Sequence, residues 1–217
     1  FTEYTDTLAR SIRDDEERCD HYEDILGTYL VQLSARKMGV DESEEATELL
    51  KSIGDFERIA DHAVNIVESA EELQSKGLTL SEAAQADLKV LEAAVEEILD
   101  RSADAFRRGD AQAAAAVEPL EQVVDLLKEQ LRTRHILRMR EGKCSIEAGF
   151  VWADLLTDLE RTSDHCSNIA GCVIDAAQHN LNLHETLRAA HSDTHAFRSE
   201  FERYAAKYAL PAPASAQ

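Results

Sequence analysis

Glycine and proline are scarce in this chain of 217 residues: there are 8 and 3, and Pro211 and Pro213 fall in the last seven positions. So few turn formers argue against an all-β fold and leave room for long uninterrupted helices. Basic residues are short as well. Lys and Arg number 23 against 43 Asp and Glu, a formal net charge of -20. A surface that negative repels nucleic acid and anionic lipid, and favours cations, metal ions above all. The four cysteines, Cys19, Cys144, Cys166 and Cys172, form no C-x-x-C pair and no zinc-type spacing. This argues against thiolate-bound zinc and fits buried, reduced thiols in a cytoplasmic setting. No stretch approaches the roughly 18–20 apolar residues that cross a bilayer, and no signal-peptide pattern is read. The motifs G-x-x-x-x-G-K-[ST], G-x-G-x-x-G and G-x-S-x-G are missing too, so nothing in the sequence asks for catalysis.

What is present is helical periodicity between a few breaks. The breaks fall at residues 39–43, 76–81, 109–110, 142–145 and 180–184. Asp41-x-x-Glu44 and Thr79-x-x-Glu82 fit capping boxes, and Gly39, Gly77, Gly109 and Gly142 fit left-handed C-terminal caps. The apolar pattern predicts helices near 5–38, 43–75, 80–108, 111–141 and 146–180, shorter ones over about 184–207, and a frayed tail over 211–217.

The chain repeats itself. Asp55-Phe-Glu57-Arg58-Ile-Ala-Asp61-His62-Ala-Val-Asn65-Ile66 matches Asp158-Leu-Glu160-Arg161-Thr-Ser-Asp164-His165-Cys-Ser-Asn168-Ile169 at seven of twelve positions, with a constant offset of 103. A weaker echo relates Asp20-x-x-x-Asp24 to Glu121-x-x-x-Asp125 at an offset of 101. Two similar offsets imply a tandem duplication. The expected fold class is therefore all-α, two tandem three-helix bundles, with units over 1–108 and 109–210 and a disordered tail over 211–217.

At 100° per residue, Glu57, Asp61 and Asn65 drift only about 40° apiece and share one side of their helix, and Glu68 returns within about 20° of Glu57. Their stripe borders the apolar arc of Phe56, Ile59, Ala60, Ala63, Ile66 and Val67, so the carboxylates can meet Asp20 and Asp24 of the preceding helix. Paired carboxylates repel unless a proton, an Arg or a cation neutralises them. Hard metal ions bound through oxygen satisfy the set. Arg58, His62, Arg161 and His165 would then serve as outer donors. A single i, i+4 pair would be read as a solvated acidic face; the same Glu, Arg, Asp, His and Asn kept in register twice favours a shared ligand. The other histidines share no spacing. No His has a Glu three residues before it, which argues against a ferritin-like di-iron centre.

At this stripe the sequence resembles the PhoU family, phosphate-homeostasis proteins of two tandem three-helix bundles. The resemblance covers most of residues 5–180 and implies metal clusters held by four acidic pairs: Asp20 and Asp24, Glu57 and Asp61, Glu121 and Asp125, Glu160 and Asp164. Asn65, Glu68, Asn168, Arg58, Arg161, His62 and His165 would be auxiliary. Iron or zinc leads among the implied metals, with magnesium, manganese and calcium as alternatives. One departure stands out: Gly171 occupies the position matching Glu68, so the two sites need not be equal.

The run 154–170 and the end, Asp193-Thr-His195-Ala-Phe with Phe201-Glu-Arg-Tyr-Ala-Ala-Lys-Tyr208, are also similar to the cytoplasmic PhoU-like region of bacterial sodium/phosphate cotransporters. The chain opens on Phe1 without an initiator Met. The resulting expectation is a metal-binding regulatory domain at the cytoplasmic face of the plasma membrane, partnered with an upstream transmembrane transport domain of the same polypeptide. Inorganic phosphate would bind through the metal, nucleic acid would not bind, and a homodimer is a further option. The alternatives are a free-standing PhoU-type regulator of a phosphate ATP-transporter and a sensor kinase, metal-assisted phosphate-ester hydrolysis, and a helical scaffold without metal. Each cluster is expected within one repeat, because a short loop makes its two helices antiparallel neighbours.

Overall fold

The computed structural model describes residues 4–36, 38–178 and 195–211. Those residues form an all-helical protein: α1 (Asp6–Ser34), α2 (Val40–Ser75), α3 (Glu82–Arg108), the single-turn α4 (Ala111–Ala114), α5 (Glu118–Arg140), α6 (Ile146–Gln178) and α7 (His195–Lys207). The expected helices over about 184–207 therefore lie partly, and the expected tail mostly, outside the described residues.

Local chemistry sets the helix ends. Thr5 accepts from the Leu8 amide to start α1. Two expected caps move by two residues. α2 starts behind Gly39, whose amide donates to Glu42 Oε2 at 2.9 Å, and not behind Asp41. α3 starts behind Ser81, which accepts from Ala84, and not behind Thr79. Gly77, Gly109 and Gly142 hold φ of 61°, 59° and 69°, the left-handed region where a Cβ costs about 1–2 kcal/mol. Gly39, at φ -65°, is an N-cap rather than the expected C-cap. The helix predicted over 111–141 is broken between Ala114 and Glu118. Pro119 explains the break: lacking an N–H and clashing with the carbonyl four residues back, it fits only the first turn of a new helix.

An antiparallel α2–α6 pair forms the spine. α1 packs on α2 and α5 on α6, while α3 lies across α6 and α5, and α7 across α5. The third helix of the first unit thus packs mainly on the second unit; it reaches α2 near its own C-terminus, where Phe106 meets Phe56 edge-on with centroids 5.1 Å apart. The core accordingly sits between α3, α5, α6 and α7. Leu91, Ile98, Leu120, Leu131, Trp152, Leu155 and Tyr204 are fully buried there, each such side chain worth about 1.5–3 kcal/mol. A buried charge cluster closes one end. Asp87 accepts from Arg134 and Arg138, both at 2.7 Å, and the Arg138 guanidinium lies over Trp152. Cys166 and Cys172 are buried free thiols, as expected, and burial pushes both up to about 12. Cys19 and Cys144 are only partly covered.

Candidate metal centre

Between α5 and α6, carboxylate oxygens of Glu121, Asp125 and Asp164 come within 4.8 Å of one another. Among the described residues they are the one set of three or more acidic, His or Cys groups so converged. Glu160, one turn before Asp164, lies beside them; its Oε1 is 2.7 Å from Lys128 Nζ, and its buried Oε2, 3.9 Å from Arg161 Nε, has no hydrogen-bond partner. Glu118 is buried at the same place and accepts from Ser167 Oγ. Crowding of this kind penalises ionisation. Burial, then Glu118, Asp125, Asp164 and Glu160, push Glu121 up to about 9. Asp164 is raised by burial and by Glu160 and Asp125. Asp125 stands at the rim and is raised by partial loss of hydration and by Glu160. Without a cation, then, Glu121 keeps its proton at neutral pH. Three converging hard oxygens, an unsatisfied buried Oε2 and a carboxyl held protonated fit a metal ion.

The first unit carries a looser version between α1 and α2. Glu57 is raised by burial, then by Asp61 and Glu23. Glu16 is raised by burial, then by Asp20 and Asp61. These neighbours correct the register of the first helix by one turn. The partner of Glu121/Asp125 is Glu16/Asp20, at an offset of 105, and not Asp20/Asp24. Glu16 and Glu121 are both half-buried and Asp20 and Asp125 both exposed. Glu23, beside Glu57, then answers to Lys128, beside Glu160. Asp24 is exposed and lines a groove with Glu23, Gly27, Leu50 and Ile53. Glu16, Asp20, Glu23, Glu57 and Asp61 thus act on one another's ionisation, though among the described residues no three of them converge as Glu121, Asp125 and Asp164 do, and the second set has a lysine where the first has Glu23. The two sites differ, though through position 23 rather than through Glu68. The converged set, Glu121, Asp125 and Asp164, draws on α5 and α6 alone.

The auxiliary residues have other work. His62 Nδ1 donates to Asp158 Oδ1 at 2.9 Å and Asn65 donates to the same oxygen at 3.2 Å. Reciprocally, His165 Nδ1 donates to Asp55 Oδ1 at 2.8 Å and Asn168 at 3.1 Å. The two imidazoles stack, with centroids 5.6 Å apart and planes at 29°. His62, Asn65, His165 and Asn168 therefore tie α2 to α6 across the duplication, where they were expected as outer donors beside the carboxylate sets. Hydrogen bonds to charged acceptors stabilise by about 1.5–3 kcal/mol each. Glu68 also lies elsewhere, in an α2–α6 groove with Asn65, Asp154 and Asp158. Arg58 and Arg161 are exposed and lie 3.4 and 3.3 Å from Asp61 and Asp164, as partial counter-charges. Sequence reading missed Glu16, Glu23, Glu118 and Lys128. The sequence signal for Glu16 was its Glu-x-x-x-Asp spacing to Asp20, which the other three pairs share.

Comparison with known proteins bears on the family and the fold. The sequence matches the PhoU domain over residues 1–70 and 88–173. It is similar to the phosphate-specific transport system accessory protein PhoU homolog 1 of Thermotoga maritima, 26% identical over 188 residues, covering 86% of this chain and 80% of the relative. The PhoU homolog of Pseudomonas aeruginosa is 27% identical over 170 residues, covering 77% and 69%. The fold resembles the crystal structure of PhoU from Pseudomonas aeruginosa, with a TM-score of 0.74 and 25% identity over 80% of this chain and 83% of that one. PhoU from Streptococcus pneumoniae shares the fold with a TM-score of 0.68.

These relatives are named as accessory proteins of a transport system. That corrects the expected partner, a transmembrane transport domain of the same polypeptide, and with it the placement as part of an integral membrane protein. Among the described residues no helix is long and apolar enough to cross a membrane. Duplicated hairpins, the Glu-Arg…Asp-His…Asn stripes and a match spanning both repeats converge on one conclusion: the chain belongs to the PhoU family.

Proposed function

We propose that this chain is a metal-binding accessory regulator of phosphate transport, acting on a transport system carried by other polypeptides and catalysing no reaction itself. The observation that carries the reading is the convergence of Glu121, Asp125 and Asp164, with Glu121 held protonated until a cation replaces its proton. The names of the relatives support the link to phosphate transport, and favour the alternative of a PhoU-type regulator over a cotransporter domain.

Glu121, Asp125 and Asp164 would hold the ion. Lys128 fixes Glu160 beside them, and Ser167 fixes Glu118. Oxygen-only donors suit iron, zinc, manganese, magnesium or calcium. The bound ion would supply positive charge and open coordination positions for phosphate oxygens. Phosphate binding would therefore disappear when the metal is stripped with chelator.

Phosphate uptake by cells lacking this chain, complemented with wild type or with Glu121→Ala/Asp164→Ala, tests the function. Wild type should restore the response of uptake to external phosphate, and the variant should not. Equal restoration by both would sink the metal-dependent reading.

A further inference from the structure

The duplication supplies an internal control for the contact between α2 and α6. A groove of about 330 Å³ runs between Glu68, Ser69 and Glu72 on α2 and Asp154 and Asp158 on α6. At the repeat offset of 103, the mates of Asp154 and Asp158 are Lys51 and Asp55, and those of Glu68, Ser69 and Glu72 are Gly171, Cys172 and Asp175. At that mirror position Lys51 Nζ donates to Glu48 Oε1 at 2.8 Å and stands within electrostatic reach of Asp175 and Cys172. The mirror position thus carries its own ammonium. The Glu68 groove has a carboxylate, Asp154, in place of that lysine and a further one, Glu68, in place of Gly171.

The cations near the Glu68 groove do not fill it. Arg13 acts on Glu68 from a distance, but its two terminal nitrogens bind Glu71 at 2.9 and 2.7 Å. Lys76 pairs with Glu72 at 2.6 Å, and both are exposed. His62 and Asn65 donate to Asp158 Oδ1 only. Ser69 is 8% exposed and lines the groove, and its hydroxyl has no hydrogen-bond partner among the described residues. Nor do these carboxylates converge as Glu121, Asp125 and Asp164 do; they run along the groove. Asp154 and Asp158 on one wall, and Glu68 and Glu72 on the other, are each four residues apart, about 6 Å along the helix. An extended chain of four methylenes with bonds of ~1.5 Å also sets its terminal nitrogens about 6 Å apart. The groove lies away from the face of α2 that matches the α3 contact on α6. Cys166 and Ala170 pack in the core with α3, and their mates Ala63 and Val67 lie roughly opposite the groove residues on the α2 wheel.

We propose that the Glu68 groove binds a linear aliphatic diamine or polyamine, with one ammonium in the place that Lys51 Nζ takes in the mirror position and a second one helical turn along. The methylenes between them lie along the helix wall as a lysine stem does. The site shares no residue with Glu121, Asp125 and Asp164, so it stands or falls separately from the metal.

Calorimetric titration of the full chain with 1,4-diaminobutane, and with butylamine as the single-ammonium control, tests this at fixed ionic strength. The diamine should bind at one per chain and at least tenfold tighter than butylamine. Asp154→Lys, which gives the groove its own ammonium as Lys51 does at the mirror position, should weaken diamine binding at least tenfold. Asp14→Lys makes the same change of charge at an exposed carboxylate on α1 and should leave binding within twofold of wild type. Circular dichroism should show both variants folded, and the smaller change Asp154→Asn should weaken binding at least threefold. Equal loss in Asp154→Lys and Asp14→Lys would mean attraction to net charge alone and overturn the proposal. So would butylamine binding as tightly as the diamine, or no binding of the diamine to wild type.

Discussion

Replacing Glu121 with Gln should change stability in opposite directions with and without metal. In the metal-free chain Glu121 is held at about 9 against an ordinary value of 4.5. Between those values the folded state keeps a proton that the unfolded state has released, so the stability Glu121 contributes is lost as pH rises. One such group gives a slope of at most ~1.4 kcal/mol per pH unit, or up to ~3 kcal/mol between pH 6 and 8. Gln resembles the protonated acid and has no proton to lose. The variant should therefore match wild type near pH 4.5, exceed it by about 2 kcal/mol at pH 6, and gain a further ~1–3 kcal/mol by pH 8. Asp125 and Asp164 are raised as well, which leaves the variant a smaller slope of the same sign. Manganese reverses the order: at 100 times its dissociation constant it should add about 2.7 kcal/mol to wild type and far less to the variant. Urea unfolding at pH 6, 7 and 8, with chelator and with manganese, reads all of this. Parallel slopes in chelator, or equal stabilisation by manganese, would refute the reasoning.

His62→Ala and Asp158→Ala should show a coupling of about 1–2 kcal/mol in a double-mutant cycle, and the mirror pair His165/Asp55 should match it; additive losses would mean the cross-link contributes nothing. Asp87→Ala should destabilise by about 3–5 kcal/mol, because it strands Arg134 and Arg138 in a buried site; a loss in urea unfolding below about 1 kcal/mol would contradict that. At Gly54, inside α2, an added Cβ meets nothing within 4 Å, so Gly54→Ala should raise stability by about 0.5–1 kcal/mol. Gly109→Ala, at positive φ, should lower it by about 1 kcal/mol; the reverse order of these two midpoints would contradict the backbone assignments.

Periodicity and the 103-residue offset made the helices and the duplication legible, because α2 and α6 kept seven of twelve residues in register. The register of α1 was not legible. Residues 14–24 hold so many carboxylates that Asp20/Asp24 and Glu16/Asp20 both resemble Glu121/Asp125, and only packing on α2 separates them. His62 and His165 were misplaced for a related reason: a wheel gives the angle of a side chain, and the partner on that side was the other repeat. Which hairpin α3 covers was not legible either, because that is a property of topology: it crosses to α5 and α6. Lys128 shows the reverse limit, since an exposed-looking lysine on a polar helix gives no sign that it will face Glu160.

Anomalous X-ray scattering from crystals of protein purified without chelator decides whether these carboxylates hold a metal. A metal peak is expected between Glu121, Asp125 and Asp164, lost in Glu121→Ala/Asp164→Ala. A full-occupancy metal elsewhere with no peak at these three carboxylates, or no bound metal by elemental analysis of the same crystals, would contradict it.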